Sequence, residues 1–140
     1  MAKLLDKIFK RDKAKEEGTI ELNGKEVHLK YCYATEISFK VLAEEEIHDF
    51  FHEAIAKVKA QQMPDIRKAI FLIIAAMQAY YESKGETAPI TDRELMYDCG
   101  AEEIGTAIAT CIKLYMEFYH LPGSEAAKAA EEQKGSTGKN

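Results

Sequence analysis

The sequence predicts an α+β fold, mostly α, in which an N-terminal β-hairpin packs on a compact bundle of about four to five helices around a central apolar helix. Three observations predict it. The run Ala69-Ile70-Phe71-Leu72-Ile73-Ile74-Ala75-Ala76-Met77 is unbroken and apolar. It is too short for a bilayer and too long for an ordinary strand, so it reads as a helix that its neighbours must cover on nearly all sides. Upstream, Asn23-Gly24 sits between two alternating segments, the strongest short hairpin signal. Around both, apolar residues recur at three and four positions, the helical period.

Taken in order, residues 1–17 form a basic arm with Leu4, Leu5, Ile8 and Phe9 on one side, and the expectation is that it is mobile. Its functional reading is a basic amphipathic segment that docks on a partner or a membrane surface. The folded domain is expected over residues 18–122. Ile20 and Leu22, then Val27, Leu29 and Tyr31, give the hairpin one apolar face, and His28 alternates away from it towards water. That face must pack on helices or another chain, because two strands alone are marginal.

Thr35 is the expected N-cap of a short helix whose apolar positions are Ile37, Val41 and Leu42. A second helix is expected from about Glu44 to Gln61, separate from the first or continuous with it through a bend. Its stripe is Ile47, Phe50, Phe51, Ala54, Ile55 and Val58, with Glu44, Glu45 and Glu46 in the first turn and Lys57 and Lys59 in the last. Met63-Pro64 ends it. The central helix follows from Asp65 to Lys84, with Gly85 as its stop. Thr91-Asp92-Arg93-Glu94 is a capping box that opens a short helix to Cys99. Gly100 breaks that helix. A last one runs from about Ala101 to His120 with Ile104, Ile108, Cys111, Ile112, Tyr115, Phe118 and Tyr119 as its stripe. Residues 123–140 hold no large apolar side chain and are expected to be a disordered polar tail.

Composition excludes several functions. Hydrophobic residues make up 46% and charged residues 31%, an ordinary balance for a domain that buries a core without metal or disulfide staples. The formal charge is −5, and because the arm is net basic, the body carries the acidic excess. An acidic body argues against a broad nucleic-acid surface. No segment is long and apolar enough to be a membrane span. Cys32, Cys99 and Cys111 are widely spaced without a CxxC and read as reduced thiols.

No catalytic motif is present: there is no GxSxG, P-loop or GxGxxG. His48 and His52 are four apart on one helical side, which admits a metal, so a small metal-dependent enzyme is one alternative. The motif is not HExxH, no further ligand has a recognisable spacing, and a solvated polar face is the plainer account. Asp92, Glu94, Asp98, Glu102 and Glu103 form an acidic cluster, but Glu94 caps one helix and Glu102 and Glu103 fall in the first turn of the next. The reading is therefore non-enzymatic, with no catalytic, metal or cofactor residue.

The aromatics carry more information. Adjacent pairs such as Phe50-Phe51, Tyr80-Tyr81 and Phe118-Tyr119 do not fit one core together, and interfaces are enriched in Tyr and Phe. The candidate partner interface is Tyr31, Tyr33, Phe50, Tyr80, Tyr81 and Tyr119. Within it, the C-terminal end of the central helix, at Tyr80-Tyr81, is the expected place for core to become binding surface.

The order of parts, with Asn23-Gly24-Lys25 at the hairpin turn and the capped step Ile90-Thr91-Asp92-Arg93-Glu94-Leu95-Met96, resembles the tail assembly chaperones of long-tailed bacteriophages and prophages. The resemblance spans roughly residues 19–121 and is mainly one of layout; the arm before Thr19 departs from it. It implies a protein in the cytoplasm of a bacterial host that binds the tape measure protein and recruits tail tube subunits. It also implies self-association in some members, a longer frameshifted form in many, and no fixed catalytic or metal set. A different class, a small helical adaptor or regulator binding a partner through its hairpin edge or a helical groove, is the second expectation.

Overall fold

The computed structural model describes residues 17–121. The arm and the tail expected at 1–17 and 123–140 therefore lie outside the described residues, apart from Glu17, which already belongs to a strand. Strands β1 (Glu17–Leu22) and β2 (Lys25–Lys30) pair antiparallel, with Thr19 opposite His28 and Ile20 opposite Val27. The turn is formed by Asn23 at φ 52° and Gly24 at φ 74°, both in the left-handed region that a type I′ hairpin requires. Five helices follow: α1 (Tyr33–Ala43), α2 (Ile47–Lys59), α3 (Ile66–Lys84), α4 (Asp92–Tyr97) and α5 (Ala101–Phe118). The fold is α+β and mostly helical, as the sequence predicts.

The central helix is α3. The Asp65 carboxylate accepts the Lys68 N–H at its start, and Gly85 closes it at φ 68°. Its apolar run is buried from Leu72 to Met77. β2 packs on α3 and α5 lies alongside it, but the helix most closely applied to it is α1, not α2. β1 packs on α5, so the hairpin bridges the two long helices through Ile20, Leu22, Val27 and Leu29.

The rotation of α1 is a correction. The helix begins three residues earlier than the expected cap, with Cys32 at the N-cap. Thr35 is fully buried inside the first turn. Its Oγ1 accepts the Cys32 N–H at 3.2 Å and donates to the Lys30 carbonyl at 2.7 Å. This fixes α1 so that Thr35, Phe39 and Ala43 face inward, and Ile37 and Val41, expected in the core, face solvent. α1 and α2 are separate helices, because Glu44 takes a left-handed conformation at φ 56° and ends α1. Glu44, Glu45 and Glu46 are consequently a connection rather than the first turn of α2.

Two members of the acidic cluster, Glu94 and Glu103, have a structural role at the hairpin turn. Glu103 accepts the backbone N–H of Asn23 at 3.0 Å and of Gly100 at 3.1 Å. Glu94 accepts the Asn23 side-chain amide at 3.1 Å and Lys25 at 3.2 Å. Its pKa is held below the usual carboxylate range, first by the Asn23 hydrogen bond and then by Lys25. The turn is thus tied to the starts of α4 and α5, residues 71 and 80 positions away in sequence.

Candidate functional site: an exposed apolar stripe on an aromatic base

The side chains that α1 turns outward form a ridge. Tyr33, Ile37 and Val41 are spaced four apart, so they line one side of the helix over about 12 Å. They are 66%, 66% and 75% exposed, although each could bury its surface in a helix turned otherwise. Single exposed apolar residues are ordinary, but an aligned row of three is the geometry one helix presents to the groove of another.

Beneath the ridge lies an aromatic base. The Tyr33 ring meets Phe118 edge-on at 5.3 Å. Phe118 in turn packs on Tyr31 at 5.3 Å and on Tyr119 at 4.7 Å. Phe51 stacks on Tyr115 at 4.2 Å, and Tyr31 touches both. One carboxylate ties these rings to α1. Glu36 accepts the hydroxyl of Tyr31 at 2.7 Å and the hydroxyl of Tyr119. His48 approaches the same carboxylate at 3.7 Å and bonds the Tyr115 hydroxyl at 3.1 Å. Burial, followed by the neighbouring carboxylate of Glu36, pushes the Tyr31, Tyr115 and Tyr119 phenols well up, so all three stay protonated. The stripe therefore stands on a helix anchored to α2, α5 and the end of β2, rather than on a loop.

The six aromatics singled out in the sequence fall into three environments. Tyr33 is on the stripe, and Tyr31 and Tyr119 lie in its base. Phe50 is core, 5.3 Å from Phe39. Tyr80 and Tyr81 form a second group with His28 on the other side of the hairpin. There Tyr80 stacks on the His28 imidazole at 4.7 Å, and the Tyr81 hydroxyl accepts the His28 backbone N–H at 3.0 Å. Tyr31, Phe50 and Tyr81 are thus corrections: each is buried in this fold and offers no free surface. Tyr81 is only 7% exposed because β2 covers it, so the end of α3 is core where surface was expected. His28 is likewise half-covered by Tyr80 rather than facing open water.

Ile37 and Val41 are the site residues that sequence reasoning missed. The signal was present but ambiguous: Thr35-Phe39-Ala43 is a rival stripe with the same spacing. An apolar concavity of about 290 Å³ lies apart from the ridge, between the end of α2 and α5, lined by Val58, Met63, Pro64, Gly105, Ile108 and Ala109.

His52 is exposed, and His48 is engaged with Glu36 and Tyr115. Among the described residues no three or more His, Cys, Asp or Glu converge as metal ligands. Cys111 is buried, which pushes its thiol up to about 12, away from nucleophilic use. No helix among the described residues is long and apolar enough to cross a membrane.

Fold and site together define a mostly helical α+β domain that presents an anchored apolar stripe. Compared with known proteins, the chain matches no family model, and no curated protein or solved structure is significantly similar to it.

Proposed function

We propose that this protein is a non-enzymatic assembly chaperone of the phage tail type, working in the cytoplasm of a bacterial host. It would hold the tape measure protein in soluble form and assist tail tube assembly. The observation that carries the reading is the exposed Tyr33–Ile37–Val41 stripe on a rigidly anchored helix. A long helical partner with apolar stripes of its own needs such a ridge to pack against, and an acidic exterior keeps the complex soluble. The layout of hairpin, short helix and helical body supports the same reading.

The adaptor reading through the hairpin edge has less support. β2 lies against α3, and the His28 N–H on that strand is already taken by Tyr81.

Co-expression with the long helical product of a neighbouring gene tests the proposal. The parent chain should keep that product soluble and co-purify with it. Ile37→Asp should weaken the complex at least about tenfold, because fully burying one such side chain contributes about 1.5–3 kcal/mol. Its melting temperature should stay close to the parent's, since Ile37 is mostly exposed. A parent chain that leaves the product insoluble, or Ile37→Asp and Val41→Asp chains that bind as the parent does, would defeat the reading.

A further inference from the structure

The stripe has an occupant available within the chain itself. β1 runs antiparallel to α5: Gly18 lies against Thr110 and Leu114, and Asn23 reaches Glu103. Upstream of Gly18 the chain is therefore directed towards the C-terminal end of α5, where Phe118 meets Tyr33. Glu17 is also paired with Lys30, whose carbonyl is bonded by Thr35 in the first turn of α1. The 16 residues that precede Glu17 thus enter the fold at the foot of the stripe.

Their chemistry fits. Leu4, Leu5, Ile8 and Phe9 repeat at the four-residue spacing of Tyr33, Ile37 and Val41. The seven residues from Lys10 to Glu16 span up to about 25 Å when extended, and the stripe is about 12 Å long, so the apolar group reaches all of it. The arm is net basic. Glu44 is exposed one turn beyond Val41 and offers the arm a carboxylate there, while Glu45 and Glu46 beside it are paired with Lys68 and Lys40. The other terminal segment, residues 123–140, has no large apolar side chain to offer.

We propose that the arm of residues 1–16 covers the Tyr33–Ile37–Val41 stripe of its own chain, setting Leu4, Leu5, Ile8 and Phe9 against it. The arm is then a tethered competitor for whatever else docks there. This concerns the same stripe as the chaperone reading and rests on that reading only for what the arm displaces. A short tether supplies an effective concentration on the order of 1 mM, so an intrinsic Kd of about 0.1 mM would leave about nine chains in ten covered. A partner must pay that factor of about ten unless it removes the arm.

The chain has no Trp, so Phe9→Trp places a single fluorescent reporter in the full-length protein. Its emission should be blue-shifted, and quenching by acrylamide should be about tenfold slower than in a peptide of residues 1–16 carrying the same Trp. Adding Ile37→Asp or, as a second variant, Val41→Lys should return both readings to the peptide's values. Circular dichroism should show each variant still folded, as these positions are exposed. Solvent-like emission in the Phe9→Trp chain, or a blue shift that survives both stripe variants, overturns the proposal. So does a blue shift that grows with protein concentration, which would place the arm on a second copy. The measurement contains no partner, so it fails or succeeds independently of the chaperone test.

Discussion

Replacing Tyr81 separates two accounts of the end of α3. If its ring were part of a docking surface, truncation would cost binding and spare the fold. The structure gives the opposite expectation. The ring is 7% exposed, lies 4.8 Å from Tyr80, and its hydroxyl accepts the His28 N–H at 3.0 Å. Tyr81→Phe keeps the ring and removes the acceptor, leaving a part-buried backbone donor of β2 unpaired. That should cost about 1–2 kcal/mol. Tyr81→Ser also removes the ring, and aromatic truncations in cores cost about 3–5 kcal/mol. Against a total stability of about 5–15 kcal/mol for a domain, the second change takes a large share. Urea titration followed by circular dichroism reads both values from the midpoint, with the slope unchanged if both states keep their compactness. In thermal melts, Tyr81→Phe should fall by roughly 5–15 °C, and Tyr81→Ser should fall much further. A Tyr81→Ser chain that melts with the parent would show the ring to be surface. A Tyr81→Phe chain with unchanged stability would show that the hydroxyl does not hold the edge of β2.

Two further perturbations test how the elements are held. Asp65 caps α3, and its pKa is depressed chiefly by the Lys68 N–H it accepts. A depressed carboxylate contributes stability that is present above its unfolded value near 3.8 and lost as pH falls through the lower folded value. Asp65→Asn should therefore keep most of the cap at neutral pH and flatten this part of the acid limb. Asp65→Ala should cost about 1 kcal/mol at pH 7, and denaturation at several pH values distinguishes the two. At Gly18, an added Cβ would lie 2.9 Å from the Thr110 methyl, a stiff β-branched side chain. Gly18→Ala should destabilise by about 1–3 kcal/mol, and Thr110→Ser, which deletes that methyl, should restore most of the loss. Failure of the rescue in a double-mutant cycle would mean that β1 and α5 are not in contact there.

The elements were largely legible because each carries its own local signal. Asn23-Gly24 can adopt the two positive φ values of the turn, Asp65 and Gly85 bracket α3, and Thr91 caps α4. The packing partners were less legible, because apolar stripes say that a face is buried and not against what. Thus it is α1, and not α2 with its longer stripe, that lies most closely along α3. The acidic residues illustrate the same limit. Glu94 and Glu103 could be placed at helix starts from sequence, but their grip on Asn23 depends on a hairpin that arrives from 71 and 80 residues away. The aromatic candidates were only partly separable for a similar reason: Tyr80 and Tyr81 are neighbours in sequence, yet β2 buries one and leaves the other half-covered.

The orientation of α1 shows what decides between two stripes of equal period. Counting apolar residues favours Ile37, Val41 and Leu42 inward, and exposing two branched aliphatic side chains forgoes about 1.5–3 kcal/mol each. Polar contacts act against that preference. Thr35 is fully buried and fully bonded, to Lys30 and Cys32, which fixes the first turn of the helix at the end of β2. One residue later, Glu36 is drawn between Tyr31 and Tyr119. Turning Ile37 inward would break both sets of bonds, take the Thr35 hydroxyl from the Lys30 carbonyl and carry Glu36 away from the two phenols it accepts. Each buried polar group left unmatched costs about 1–3 kcal/mol, and bonds to a charged acceptor are stronger than neutral ones. The same rotation would expose Phe39, now fully buried, which offsets much of what Ile37 and Val41 would gain, so the polar contacts hold the stripe outward. A surface maintained in this way is available to a partner without any rearrangement of the core, and a tethered basic arm can cover it in the meantime without disturbing the bonds that hold it there.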